Sequence, residues 1–179
     1  MKVKCKMKSD ILPTDRSYKV LAIAREVALS EGCETILPIH ILHGLLLEHD
    51  GIAGKILTDA GVPVSNKLRE ENKSSHDRNN FVEADYENQR MCGIREVPLL
   101  SGTAKLVYER ATQEGKDLFQ KLQHTACPYL GTEHLLLALL SIPETSAYQY
   151  LESKLNENGL KPKHLREAIY DLVGVPGEK

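Results

Sequence analysis

Aromatic residues are the scarcest class here: tryptophan is absent, phenylalanine occurs twice, and all aromatics together make up 5% of 179 residues. A surface that stacks single-stranded bases on aromatic rings is therefore poorly supplied. An excess of one charge is missing too. Lys and Arg number 23 against 25 Asp and Glu, and the resulting net charge of -2 gives no global attraction to nucleic acid or to an anionic membrane. No apolar run approaches the roughly eighteen residues that a bilayer span needs. Residues 1–9 alternate lysine with other side chains where a signal peptide would be apolar. The four cysteines, Cys5, Cys33, Cys92 and Cys127, are scattered and form no C-x-x-C pair, which argues against a zinc cluster or a redox dithiol. These absences point to reduced thiols in a cytoplasmic protein, or in a plastid stroma if the chain is a processed plant or algal product.

Catalytic frameworks are missing as well. No G-x-S-x-G or H-E-x-x-H stretch occurs, so neither Cys33 nor Cys127 sits in a nucleophile motif, and both read as small buried hydrophobes. The chain reads as a non-enzyme with no cofactor and no metal. His40 and His43 share a helix face and could touch one ion, but no third ligand has suitable spacing.

What is present is helical periodicity. Val20, Leu21, Ala24, Val27 and Ala28 fall on one side of a 3.6-residue helix that Gly32 stops. Thr14 offers a side-chain oxygen to the first unpaired amides, and Asp15 suits the positive end of the helix dipole. Pro38 opens a second helix through Ile39, Ile41, Leu42 and Leu45–Leu47, apolar nearly all round and hence buried. A third carries Ile52, Ile56, Leu57 and Ala60 up to Gly61, and a fourth over 65–72 is led by Pro63.

The order of events then repeats. Ser101 opens a long helix with Val107, Ala111, Leu118 and Leu122 inward. Thr132 reads as the cap of a leucine-rich helix ending near Ser141. A third helix carries Tyr148, Leu151 and Leu155 up to Gly159, and a fourth runs from Pro162 through Leu165, Ile169, Leu172 and Val173 to Gly174. His40-Ile41-Leu42 overlies His134-Leu135-Leu136, and Lys-Leu-Arg-Glu at 67–70 overlies His-Leu-Arg-Glu at 164–167. The offset grows from 87 residues at the first helix to 94 at the second, which requires extra helical turns or a longer connection near 118–126. The predicted fold is all-α: two pseudo-symmetric four-helix repeats, about eight helices, each half covering the other's apolar face. The predicted divisions are a flexible basic tail over 1–10, repeat 1 over 11–72, a polar linker over 73–96 and repeat 2 over 97–175.

Gly131-Thr132-Glu133-His134 followed by Leu-Leu-Leu-Ala-Leu-Leu resembles the most recognisable segment of the Clp repeat, the duplicated helical domain at the N-terminus of Clp-type unfoldase ATPases. Pro13-Thr14-Asp15-Arg16, Ala24-Arg25-Glu26, Gly51-Ile52-Ala53 and Gly61-Val62 follow the same family's first repeat in order. No G-x-x-x-x-G-K-[ST] phosphate loop accompanies them, so these residues resemble the docking domain without the motor. The resemblance implies binding of a Clp ATPase, the Clp peptidase, an adaptor or a substrate protein, with no nucleic acid and no membrane as partner.

It also implies a site. In relatives that read phosphoarginine, the glutamate of the tetrad and a threonine at the start of each repeat's first helix contribute to the ligand site. A carboxylate pairs with guanidinium, and a capped helix N-terminus offers donors to phosphate oxygens. Repeat 2 supplies Ser101 and Glu133 beside Thr132. Repeat 1 supplies Thr14, but Ile39 stands where the acid would be. The competing reading is purely structural: Glu133 as a first-turn acid favouring the helix dipole, Thr14 and Ser101 as plain caps. His40 and His134 read as hydrogen-bonded structural residues, and Tyr148, Tyr150 and Tyr170 as core or contact residues.

Overall fold

The computed structural model describes residues 11–64, 99–122 and 128–175. Within them lie seven helices: α1 (Asp15–Ser30), α2 (Pro38–Leu47), α3 (Ile52–Asp59), α4 (Gly102–Lys121), α5 (Thr132–Leu139), α6 (Ser146–Glu157) and α7 (Pro162–Val173). The helix expected over 65–72, the basic tail and the polar linker lie outside the described residues. So do Cys5, Cys92 and Cys127; Cys33 is a half-buried free thiol.

Two copies are evident in the element order. α1, α2 and α3 begin 87, 94 and 94 residues before α4, α5 and α6. Of the seven residues by which the offset grows, four lengthen α4 relative to α1 and three lengthen the connection that follows it. Both expected remedies for the shift are thus used.

The two leucine-rich helices form the centre. α2 lies against α1, α3, α4, α5 and α6, and α5 against α1, α2, α3 and α4, so each is walled in by elements of both repeats. That environment explains why neither has a polar face. Leu135, Leu136, Leu137 and Leu139 are each 0% exposed, and burying one such side chain is worth about 1.5–3 kcal/mol. Close approach requires a missing side chain at one point: a methyl group on Gly44 of α2 would collide with the Val20 carbonyl of α1. Leu172 departs from expectation. It is 64% exposed on the outer side of α7, whose buried stripe is Leu165 and Ile169.

Short strands join the halves, which helix periodicity did not foretell. β1 (Leu12–Pro13) runs parallel to β2 (Tyr129–Leu130), with Leu12 opposite Tyr129 and Pro13 opposite Leu130. A second parallel bridge links Ile36 to Leu100. In each case the residues leading into one repeat's first helix pair with those leading into the other repeat's leucine-rich helix. The pseudo-two-fold relation thus makes two equivalent seams.

Candidate functional site

The first seam joins the start of α1 to the start of α5. The Thr14 amide donates to the Leu130 carbonyl at 2.9 Å, and the Ser17 hydroxyl donates to the same oxygen. Thr14 Oγ1 caps α1 by accepting the Ser17 amide at 3.2 Å, and it lies 2.6 Å from Ser17 Oγ. Because the single Ser17 hydroxyl proton goes to Leu130, the Thr14 hydroxyl must be the donor to Ser17 Oγ. A relay therefore runs from Thr14 through Ser17 to Leu130, and the Thr14 proton is spent within the fold.

Glu133 stands two residues past Gly131 in the first turn of α5 and is 3% exposed. Its carboxylate curls back over Gly131, where any side chain would collide with it. Burial raises its pKa above the ordinary carboxylate value; its own backbone amide and the Tyr129 and Thr132 side chains oppose the shift by favouring the charged form. Burial and the neighbouring carboxylate together push the Tyr129 hydroxyl up. Oε1 of Glu133 has no hydrogen-bond partner. It lies 3.4 Å from His134 Nδ1, but that nitrogen already accepts the Gly131 amide at 2.9 Å and so presents a lone pair. The contact is not an ion pair. Burial lowers the His134 pKa from 6.5 to about 4, so the ring is neutral near pH 7.

Histidine at the third helical position has one recurring use. His40, His134 and His164 each accept through Nδ1 the amide of the residue preceding α2, α5 and α7, at 3.1, 2.9 and 2.9 Å. His40 also donates from Nε2 to Glu31 at 3.0 Å. Both its ring nitrogens are engaged, which removes it as a metal ligand. His43 Nδ1 has no partner, and burial lowers that residue's pKa. Among the described residues no group of three or more His, Cys, Asp or Glu side chains is arranged to hold a metal ion.

Thr132 does something other than expected. Gly131 is the N-cap of α5 and Thr132 the first helical residue; its Oγ1 points away and accepts the Ala53 amide of α3 at 3.4 Å. Gly51, the N-cap of α3, has no side chain to cap the helix, so repeat 2 supplies the missing acceptor. Thr132 is a cap across the repeats rather than for its own helix.

The second seam joins the start of α4 to the start of α2. The Ser101 amide donates to the Ile36 carbonyl at 2.9 Å, and the Ile36 amide donates to Leu99 at 2.9 Å. Ser101 Oγ caps α4 by accepting the Ala104 amide at 3.2 Å. Ala104 occupies the place that Ser17 holds in the first copy, so no relay forms and the Ser101 proton has no acceptor among the described residues. Where the first seam has Gly131 and Glu133, this one has Leu37 and half-buried Ile39.

The structure thus distributes the expected site residues crosswise. Thr14 lies with the Tyr129–Glu133 segment of the other repeat, and Ser101 with the Ile36–Ile39 segment of the other repeat; Ser101 and Glu133 belong to different seams. Tyr129, beside Glu133 and 43% exposed, escaped sequence reasoning because nothing but its position just before the tetrad marks it. Each seam also carries two exposed apolar residues, Leu12 opposite Tyr129 at the first, and Leu37 and Leu99 flanking the Ile36–Leu100 bridge at the second.

A buried carboxylate outside the seams was also missed. Glu48, 3% exposed at the end of α2, is held by Arg16 at 2.7 Å and Lys19 at 2.9 Å. It braces α1 against α2, and truncating it would leave Lys19 without this partner and Arg16 with only Asp50, 3.8 Å away. Among the described residues no helix is long and apolar enough to cross a membrane.

The model of one protein family, the Clp repeat (R) N-terminal domain, matches residues 12–154. The chain is 34% identical over 161 residues to the negative regulator of genetic competence ClpC/MecB of Bacillus subtilis, covering 90% of this chain and 17% of that protein. It is 31% identical over 161 residues to the chaperone protein ClpB of Oceanobacillus iheyensis, again covering 90% and 17%. The chain therefore spans about a sixth of the length of these curated relatives. Among solved structures, the Hsp104 N-terminal domain of Candida albicans superposes with a TM-score of 0.55 at 18% identity, covering 92% of this chain and 93% of that one. That likeness is one of fold.

Proposed function

The chain belongs to the Clp repeat N-terminal domain family, and from that premise we propose that it is a non-enzymatic protein-binding module, an accessory or adaptor protein of the Clp proteolysis system. Its partners on this reading are a Clp ATPase or peptidase, an adaptor, or a substrate protein. The observation that carries it is the duplicated seam. Each seam sets a capped helix N-terminus beside exposed apolar residues, which suits recognition of a polypeptide rather than turnover of a small molecule. Affinity capture from native lysate with mass spectrometry, with and without ATP, tests it; Clp components should be recovered reproducibly, and their consistent absence would sink the reading.

A second reading has its own support in Glu133 Oε1, an acceptor buried without a partner. A guanidinium would satisfy it and restore the charge that burial disfavours, while the amides at the start of α1 or α5 suit a phosphate. On this reading the protein is a phosphoarginine receptor with one site, at the first seam, independent of any Clp partner. Binding requires the carboxylate to swing off Gly131. Calorimetric titration of free phosphoarginine into wild type and Glu133→Ala should give one site in the former and none in the latter. Absence of binding in both eliminates the receptor.

A further inference from the structure

Away from both seams, a cleft of about 350 Å³ opens between α4 and α7, lined by Arg110, Glu114, Asp117, Lys121, Arg166 and Tyr170 among others. Three cations therefore face two carboxylates, and the carboxylates are occupied. Glu114 is 6% exposed and takes Arg110 at 3.1 Å, with Arg166 at 4.0 Å. Asp117 accepts the Gln113 side-chain amide at 2.8 Å.

The cations are only partly satisfied. Arg166 donates to Ser141 Oγ at 2.7 Å and to the Tyr170 hydroxyl at 3.4 Å, which fix the guanidinium, while the carboxylate it approaches at 4.0 Å, Glu114, is already taken at 3.1 Å by Arg110. Lys121 sits over the Tyr170 ring with its Nζ 5.8 Å from the centroid. It has no carboxylate within ion-pair distance among the described residues. Tyr170 thus holds two cations together on the wall of one concave, polar site.

We propose that this cleft docks an acidic peptide segment, whose carboxylates pair with Arg166 and Lys121. An oriented guanidinium takes a carboxylate through two parallel hydrogen bonds, and a lysine adds a mobile point charge. Spacing favours a peptide over a single small anion. Arg110 and Lys121 are eleven residues apart on α4, about 16 Å along the axis, a length that about five extended residues cover. Glu114 and Asp117 lie between those cations and would repel a continuous phosphate backbone, whereas a peptide can place its carboxylates away from them. The proposal deepens the protein-binding reading by naming one class of partner segment. Its failure leaves that reading to be judged by affinity capture.

The test is fluorescence anisotropy with a labelled Glu-Gly repeat peptide, the intact chain, and wild type against Lys121→Glu and Lys121→Gln. Lys121 is exposed and makes no ion pair among the described residues, so both variants should unfold at the wild-type temperature. Wild type should bind the peptide, more weakly as salt rises, and Lys121→Glu should bind at least about tenfold more weakly, a change worth about 1.4 kcal/mol. The smaller loss should fall to Lys121→Gln, and a Ser-Gly peptide of equal length should not bind. Any of three results overturns the proposal: no binding to wild type, equal binding by folded Lys121→Glu and wild type, or complete displacement of the peptide by an equal concentration of inorganic phosphate.

Discussion

The two seams are built alike and equipped differently. Both join a helix cap of one repeat to the approach strand of the other through a backbone hydrogen bond of 2.9 Å. At the first, Thr14 feeds its proton into a relay ending on Leu130, and the acid Glu133 is buried beneath Tyr129. At the second, the Ser101 proton has no acceptor among the described residues and Ile39 replaces the acid. One seam thus carries the acid while its hydroxyl is spent, and the other carries a hydroxyl with no acceptor among the described residues and lacks the acid. Backbone pairing survives divergence because it needs no particular side chain; the chemistry above it does not.

The largest expected effect concerns acid. His134 has its pKa depressed to about 4 from an ordinary 6.5, so its contribution to stability is complete above pH 6.5 and is lost as pH falls through 4. That loss amounts to about 3 kcal/mol. Buried His43 acts in the same direction. Urea denaturation between pH 7 and 4.5 should show the decline, and His134→Gln, which keeps an acceptor for the Gly131 amide but cannot titrate, should flatten it. A slope unchanged in that variant would show that the first seam is not acid-sensitive through this residue.

Next in size is the contrast between caps. Thr14→Ala removes both the cap and the hydroxyl link to Ser17 that begins the relay and should cost about 2 kcal/mol, whereas Ser101→Ala removes a cap alone and should cost about 1 kcal/mol. Equal losses by chemical denaturation would contradict the relay.

A smaller change, of opposite sign, is expected at Glu133. Its folded pKa is raised by burial, so its ionised form is penalised at neutral pH. Stability linked to this group is present at low pH and is lost as pH rises through the folded value. Glu133→Gln should therefore unfold at a higher temperature than wild type at pH 7, with the gain fading as pH drops below the carboxylate range. A lower melting temperature at pH 7 would instead make Glu133 a stabilising first-turn acid. The smallest structural perturbation is Ile39→Glu, which gives the second seam, where Ser101 lies, the acid it lacks. If phosphoarginine binds the first seam, this variant should raise the calorimetric stoichiometry from one to two.

Much of this was legible in the residues. Thr14 and Ser101 cap the helices they were expected to cap, because a hydroxyl before an apolar 3.6-residue pattern is a local signal. The leucine runs at 41–47 and 135–140 announced burial on all sides. Other features depend on partners distant along the chain. Thr132 read as a local cap because threonine before a helix usually is one, yet Gly131 takes that place and Thr132 turns to Ala53, 79 residues away. Leu172 read as inward from periodicity alone, but among the described residues α7 packs chiefly against α3 and α6, and its outer side, where Leu172 lies, stays exposed.

The sequence by itself determined that there are two copies, where most helices begin and end, and that only one copy kept an acid at the tetrad position. Those follow from local propensities and from comparing the chain with itself. Only the tertiary structure decided which cap meets which tetrad. Aligned as repeats, Ser101 and Glu133 belong to one copy, and nothing local contradicts pairing them. Once each repeat covers the other's apolar face, the pseudo-two-fold axis carries each helix start onto the opposite copy's strand, and Thr14, not Ser101, comes to the seam where Glu133 lies.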